Sequence, residues 1–376
     1  MFSLHGHTAR HASFLCVWTR LLRACTGQER RVLRRAVVLA VLFAISAGVP
    51  RAWAQQGGGT GGGTIYFING AGGGYNTNYM WSMTSSGSNV TQLGYWGVFN
   101  VPSRGMHNGH RWYITTLSIP NEFYGDGTTP RFEVFALRGD YDSLLNNNGD
   151  TRVQLTNDPT LQPAFGWFQG MHWLPGDGSI SFRASRWSGS ERVEGGLYTA
   201  DLAYRADGNI LGLTAQPGDP ALEFALDVNG MPAVGRHTWG LSTTQVAYID
   251  SPETGLWVAN LSTGTRTRIY TGGVGYVDWS QDGTKILFGS GTIHTIKPNG
   301  TALKTVLGPR YVNNVWVSGF GHAYFSPTAS HITCVGIMNL AGGGQDNDVI
   351  RATSSGGAVT NLTNTPALVE LPVGWR

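Results

Sequence analysis

Short apolar stretches alternate with polar residues along most of the chain, and the segment VDWSQDGTKILFG (277–289) shows the pattern most clearly. Val277 and Trp279 alternate with polar neighbours, as a half-buried strand requires. The next four residues, 280–283, begin with Ser and end with Gly, which is the pattern of a type I turn. An apolar strand returns from Ile286. The segment therefore predicts a β-hairpin.

The same hairpin recurs along the chain with small variations. The further copies are GMHNGHRWYI (105–114), HWLPGDGSISF (172–182), TWGLSTTQVAY (238–248) and YFSPTASHITC (324–334). A second pattern, in which a hydrophobic strand, a polar turn and an alternating strand follow one another, is clearest at YMWSMTSSGSNVTQLG (79–94). The second pattern occurs six times and the first only five. The sequence therefore consists of repeated four-stranded units, one of which lacks its first strand.

The two ends of the repeat array supply the missing strand. The segment TIYFI (64–68) matches a returning strand with no strand before it, and the C-terminal LPVGWR (371–376) matches the missing first strand. Pairing of the two segments closes a ring, which a circular array needs and an open sandwich does not. The sequence predicts an all-β fold over residues 64–376, a six-bladed β-propeller of four-stranded antiparallel blades.

The motifs WSQDGTKILF (279–288) and MWSMTSSGSNVTQL (80–93) resemble the TolB-type, WD-like β-propeller repeats of bacterial extracytoplasmic proteins. The resemblance covers essentially all of residues 64–376. It implies the propeller fold and an extracytoplasmic location, and it implies little about function. In TolB a separate domain precedes the propeller, whereas a Gly-rich segment precedes it here.

Residues 1–54 have the pattern of a secretory signal peptide. The basic segment RRVLRR (30–35) precedes the uncharged apolar run 36–49, and an Ala-x-Ala site ends at Ala54. The alternative is a membrane anchor, but the run is shorter than the ~20 residues that span a bilayer. Residues 55–63 read as a Gly-rich linker. We therefore expect a periplasmic or secreted protein with no membrane span after cleavage.

The net charge and the cysteine content are different when the predicted signal peptide, residues 1–54, is left out. Residues 1–54 hold eight of the 26 Lys and Arg and one of the 23 Asp and Glu, which leaves 18 basic and 22 acidic residues and a net charge of −4. A nucleic-acid partner calls for a basic face, so we expect none. Only Cys334 follows the predicted signal peptide, so no intrachain disulfide can form after its removal. The fold must rely on its core.

The long segments fall at one end of the predicted blades. If the strands of a blade are lettered A to D from the channel outwards, the A–B and C–D turns lie at one end, and the B–C and D–A connections lie at the other. Most of the A–B and C–D turns are tight. The long segments are B–C loops 69–78, 118–130, 184–196 and 338–347, and D–A connections 215–235 and 308–321. Rigid scaffolds carry function on such loops. We call this end the loop face.

Several polar residues recur near the loop-face end of the A strands and predict a ligand site at the channel mouth. They are His172, His237, Asp278 and His322. Because strand side chains alternate faces, His237, two residues before its aromatic position, is expected to point away from the others. His and Asp are common metal ligands, but no close ligand pair occurs, so we expect no metal. The alternative is that these residues hydrogen-bond neighbouring blades.

Three further candidates lie in the B–C loops. Arg183 and Trp187 accompany the segment 184–196, and Tyr124 lies in 118–130. Trp offers an apolar ring face with a polar edge, and Arg binds carboxylates through paired hydrogen bonds. These residue types suit a sugar or a peptide, whereas a solvated loop is the alternative.

The sequence favours an exported, monomeric, non-enzymatic propeller that binds a protein or glycan on the loop face, without a cofactor. The alternative function is a polysaccharide lyase or glycosidase acting at the channel mouth. A glycosidase needs two carboxylates flanking the bond, and Asp278 with Asp126 or Asp250 are the candidates. No motif identifies catalytic residues, so we assign none. A structural repeat module in an envelope assembly is a third alternative.

Overall fold

The computed structural model of the chain describes residues 62–71, 79–95, 101–103, 112–123, 127, 130–138, 152–163, 170–189, 191–214, 221–225, 236–250, 254–365 and 368–376. All of them lie in the second of two compact units, Gly57–Arg376; the first is Met1–Gln56. The predicted signal peptide therefore lies outside the described residues. Within the described ranges, no helix has the length and apolar character needed to cross a membrane.

The described residues form strands joined by turns. In chain order they are β1 (Thr64–Ala71), β2 (Tyr79–Thr84), β3 (Thr91–Tyr95), β4 (Val101–Pro102), β5 (Trp112–Phe123), β6 (Pro130–Arg138), β7 (Arg152–Gln154), β8 (Leu161–Pro163), β9 (Met171–Trp173), β10 (Ser179–Ser188), β11 (Glu191–Tyr204), β12 (Ile210–Leu213), β13 (Ala221–Ala225), β14 (His237–Trp239), β15 (Gln245–Ile249), β16 (Gly255–Asn260), β17 (Thr265–Thr271), β18 (Tyr276–Trp279), β19 (Ile286–Gly289), β20 (Ile293–Ile296), β21 (Lys304–Leu307), β22 (Arg310–Val312), β23 (Val315–Phe325), β24 (His331–Asn339), β25 (Gln345–Thr353), β26 (Val359–Asn361) and β27 (Leu368–Trp375).

The strands are grouped into antiparallel units that follow one another along the chain. Separate four-stranded sheets have the orders β4-β5-β6-β7, β14-β15-β16-β17 and β18-β19-β20-β21. A fourth sheet has the order β12-β11-β10-β8, with β9 and β13 also paired to its central strands. The remaining sheet joins two units, β23 to β26, to which β22 is added by its pairing with β23, and β27 with β1 to β3. We call the latter the closing unit, and the others are named by their first and last strands.

The predicted pairing of the two ends of the repeat array is confirmed. Strand β27 pairs antiparallel with β1 from Ile65↔Trp375 to Ala71↔Leu368. The indole of Trp375 is buried, and its Nε1 donates a hydrogen bond to the Gly62 carbonyl at 2.7 Å. The C-terminal strand therefore forms the first strand of the closing unit.

The hairpin that defines the repeat has the predicted form. Strands β18 and β19 pair from Tyr276↔Gly289 to Trp279↔Ile286. Gly283 N donates to the Ser280 carbonyl at 2.9 Å and closes the turn, with Gly283 at a φ of 73°. A Cβ on Gly240 of the β14–β17 unit would come within 3.1 Å of the Trp279 ring. Trp279 therefore packs closely against the preceding unit.

The core lies between the units. One cluster joins Ala247 and Leu256 of the β14–β17 unit to Trp279 and Phe288 of the next. Each of the other clusters also draws on two neighbouring units, including one that joins the closing unit to β23–β26 and one that joins it to β4–β7. Because apolar side chains of consecutive units cover one another, the units cannot bury their faces alone.

Several segments expected to be loops are strands in the structure. Residues 184–189 and 191–196 lie in the outer half of the β10–β11 hairpin, which is paired from Ser179↔Asp201 to Ser188↔Glu191. The segment 308–321 contains the hairpin β22–β23. Backbone pairing does not require regular apolar alternation, so polar and Gly-rich sequence can form strands. Each hairpin also buries apolar side chains in the core, among them Ala184, Val312 and Val317.

Candidate functional site

His172 and His237 lie together at the inner strands of neighbouring units. Their ring centroids are 5.0 Å apart, with the ring planes at 64°. The expectation that His237 points away from His172 is therefore wrong. Alternation places the two side chains on opposite faces of their own sheets. Consecutive units stack so that one face of a sheet packs against the opposite face of the next sheet. The two histidine rings therefore meet between the two units.

Ser181 connects the two units at this point. It lies opposite His172 in the pairing of β9 with β10. The indole Nε1 of Trp239 donates to Ser181 Oγ at 2.6 Å, and the same hydroxyl lies 2.8 Å from Nε2 of His237. Ser181, His172 and His237 are all buried. The arrangement fixes the His237 ring.

Arg183 brings a buried positive charge to the same place. Its backbone N–H donates to the Gly170 carbonyl at 3.1 Å, so it lies beside the start of β9. The residue is 7% exposed, and burial lowers the pKa of its guanidinium to about 10. Burial lowers the pKa of His237 to about 3, and the charge of Arg183 is the smaller contribution to that decrease. His237 is consequently neutral over the physiological range.

His322 occupies a bulge in β23. Its φ is 45°, and the pairing of β23 with β24 shifts register between Gly321 and Tyr324. Bulges re-aim a side chain out of the regular alternation. Burial lowers the pKa of His322 to about 3, and the charge of Arg236 is the smaller contribution to that decrease. The Arg236 guanidinium donates to the Gly275 carbonyl at the start of the next unit.

Asp278 joins two units through the backbone. Its side chain is buried, and Oδ2 accepts a hydrogen bond from Phe325 N at 2.8 Å. The contact ties the inner strand β18 to the inner strand β23. Hydrogen bonding between neighbouring units, the alternative reading of this residue, is thus present in the structure.

Trp187 and Tyr124 stand apart from the histidines. Trp187 is a partly buried residue of β10, next to a register shift in its pairing with β11, and its backbone N–H donates to the Thr160 carbonyl at 2.8 Å. Tyr124 lies outside the described residues. The structure therefore brings together His172, His237 and Arg183, and it places Trp187 in the outer half of the hairpin.

Ser181 and Arg236 were missed at the level of sequence. Ser181 could have been found from hairpin register, because the pairing that sets Trp173 opposite Ile180 sets His172 opposite Ser181. Arg236 directly precedes His237, but nothing in the sequence indicates its reach to the neighbouring unit. The described residues contain no group of three or more His, Cys, Asp or Glu side chains that could hold a metal ion.

The loop face carries the exposed aromatic side chains. Among the described residues these are Tyr79 at the start of β2, Phe123 at the end of β5, and the cross-strand pair Tyr311 and Trp316. The rings of the pair are 5.2 Å apart at 62°, and Tyr311 is 71% exposed. The opposite end exposes aliphatic side chains instead, at Val90, Leu241 and Leu303.

Comparison with solved structures places the chain among β-propellers. No protein-family model and no curated protein matches it. TolB from Acinetobacter baumannii is 11% identical and superposes with a TM-score of 0.51, covering 83% of this chain and 67% of that one. The putative TolB from Agrobacterium tumefaciens is 13% identical (TM-score 0.49; 83% and 98%), and a chain of the nidogen/laminin complex is 9% identical (0.43; 82% and 98%).

At this identity the likeness concerns the fold alone. The chain has a β-propeller fold, as the repeat pattern and its resemblance to TolB-type propellers predict. The function has to be argued from the residues of this chain.

Proposed function

We propose that the chain is an exported, non-enzymatic propeller of six blades that binds a protein or glycan through its loop face. The six blades correspond to the units β4–β7, β8–β13, β14–β17, β18–β21, β23–β26 and the closing unit. The count is supported by the core clusters, which link each unit to the next and the last to the first.

The observation that carries the proposal is the position of the exposed aromatic side chains. All those among the described residues lie at the loop face, on the consecutive units β23–β26, closing and β4–β7. Exposed aromatic rings offer large apolar area with little conformational freedom to lose, and they dominate binding surfaces for proteins and stack on sugars. The Tyr311–Trp316 pair is held on a hydrogen-bonded hairpin, which keeps both rings in place.

The carboxylates considered for a glycosidase have structural partners, which favours binding over catalysis. Asp278 accepts from Phe325 N. Asp250 accepts from Thr254 N at 3.1 Å and from the Trp257 indole at 3.0 Å. Asp126 lies outside the described residues.

The test is a glycan and peptide array probed with the expressed chain and with the double variant Tyr311→Ala/Trp316→Ala. Loss of two central aromatic contacts typically costs about 2 kcal/mol or more, or roughly 30-fold in affinity. The double variant should therefore lose the signals that the unaltered chain gives. The control Leu241→Ala/Leu303→Ala alters the opposite end and should keep them. Signals that survive in the first variant and vanish in the control would place binding elsewhere.

A further inference from the structure

Arg183 and His237 are neighbouring buried groups whose hydrogen-bonding capacity is not fully used within the described part of the chain. Arg183 is 7% exposed and His237 is fully buried. Nε of Arg183 and Nδ1 of His237 are both buried without a hydrogen-bond partner among the described residues. Arg183 lies two residues from Ser181 on β10 and so projects from the same face as the hydroxyl that contacts His237, which places the two groups in one site. Buried polar groups in native proteins are almost always satisfied, and these two require an explanation.

The hydrogen bonds around Ser181 assign the tautomer of His237. An indole N–H can only donate, so Ser181 Oγ accepts from Trp239. Ser181 Oγ has no other hydrogen-bond partner among the described residues, so its proton is directed to Nε2 of His237, 2.8 Å away. A neutral imidazole that accepts at Nε2 carries its proton on Nδ1. The free atoms of both residues are therefore donors without a hydrogen-bond partner among the described residues.

The site also carries a positive charge that no described carboxylate balances. A guanidinium stays protonated in proteins, and the pKa of Arg183 is lowered by burial, with no carboxylate of the described residues acting against that effect. The neighbouring Arg186, in contrast, is paired with Asp158 at 2.7 Å. A buried charge without a partner is strongly unfavourable. The chemistry of the site therefore suits an anion.

We propose that Arg183 and Nδ1–H of His237 form a binding site for the carboxylate of a small monoanionic ligand. A planar guanidinium matches a carboxylate in geometry, and the histidine proton supplies a further donor. One fixed positive charge beside a neutral imidazole balances one negative charge, so a dianion would leave excess charge buried. The charge of Arg183 likewise disfavours a metal cation at the two histidines.

The inference is independent of the proposed binding at the loop face, because it concerns small acids and the inner strands. The experiment measures the thermal unfolding midpoint of the full chain against sodium acetate, with ionic strength held constant by sodium chloride. A ligand that binds only the folded state raises the midpoint with its concentration. Acetate should do so, whereas the neutral isostere acetamide should not, and sulfate should have a smaller effect than acetate.

Matched variants locate the site. Arg183→Gln removes the charge and should weaken the acetate effect at least about tenfold. Arg186→Gln removes an arginine three residues along the same strand and should leave the acetate effect in place. An undiminished acetate effect in Arg183→Gln would overturn the proposal. If that variant does not fold, equal effects of acetate and acetamide on the unaltered chain overturn it just as well.

Discussion

At the scale of single residues, burial decides the role of the polar side chains on the inner strands. Asp278 has the residue type and position of a ligand-binding carboxylate, yet it is 6% exposed and accepts from Phe325 N. Its sequence neighbours indicate that it lies on an inner strand. They carry no information on which backbone group of the next unit faces it, because that contact joins residues 47 positions apart.

Asp278→Ala should destabilise the fold. The change leaves the buried Phe325 N–H without its acceptor, which typically costs about 1–3 kcal/mol. Chemical denaturation measures the loss. The control Asp278→Asn keeps an oxygen that can accept the same hydrogen bond and should cost less. Equal stability of Asp278→Ala and the unaltered chain would contradict the role assigned to this side chain.

Glu370 should make the protein less stable as the pH rises. Burial raises the pKa of its carboxyl group to about 7; the nearby Thr363 and Thr365 hydroxyls lower it, and the charges of Asp348 and Asp346 raise it. The folded pKa lies above the unfolded value of 4.5, so the folded state holds the proton more tightly. This contribution is present below about pH 4.5 and is lost as the pH rises to about 7.

Glu370→Gln isolates this effect, because glutamine does not ionise and its amide oxygen can accept the hydrogen bond that Asn69 donates to Glu370. The difference in unfolding free energy between the variant and the unaltered chain should grow in favour of the variant between about pH 4.5 and pH 7. Denaturation curves at a series of pH values measure it. A difference independent of pH would contradict the shifted pKa.

At the scale of elements, the sequence predicted the hairpins that follow the repeat pattern and missed those whose polar and Gly-rich sequence resembles a connection. Strands β18 and β19 alternate or run apolar because all residues of both strands are buried. Residues 308–321 begin and end with Gly and contain two Asn, which reads as a connection. They form β22–β23 because Val312 and Val317 are buried in the core, and because backbone pairing and the contact between the two exposed aromatic rings stabilise the hairpin.

The sequence identified residues of the candidate site but did not predict how they are arranged. His172 and His237 were identified from their positions along the strands, and Arg183 from its place beside the segment 184–196, which was expected to be a loop. The contact between the two histidines depends on which faces of consecutive units meet. Alternation within one strand cannot supply that information, since it concerns a single sheet.

Gly356, in the turn between β25 and β26, should not tolerate a side chain. Its φ is 86°, and a Cβ would lie 2.3 Å from the Val306 carbonyl oxygen of the preceding unit. Gly356→Ala therefore combines backbone strain of about 1 kcal/mol with a clash of about 1–3 kcal/mol. The matched control is Gly264→Ala in the turn between β16 and β17, where φ is 71° and no atom lies within 4 Å.

The two glycine variants differ in close packing rather than in backbone conformation. Thermal and chemical unfolding should give a larger loss for Gly356→Ala than for Gly264→Ala. Equal losses would mean that the turn between β25 and β26 does not press against the neighbouring unit as the structure has it.

At the scale of the whole molecule, the ends of the repeat array complete one unit. Thr64 and Arg376 exchange backbone hydrogen bonds, with Thr64 N donating to the Arg376 carbonyl at 2.5 Å and Arg376 N donating to the Thr64 carbonyl at 2.9 Å. The mismatch between the two repeat patterns was sufficient to predict this pairing. A closed array leaves its turns and loops at two ends, and only the loop face has exposed aromatic residues among those described.

The most direct test of the account is a hydrogen-exchange footprint of the chain, alone and with the glycan or peptide that gives the strongest array signal. Binding at the loop face predicts slower exchange at the β22–β23 hairpin, at the start of β2 and at the end of β5. The turns that carry Val90, Leu241 and Leu303 should exchange as before. Protection at those turns, with none at the hairpin, would contradict the central claim.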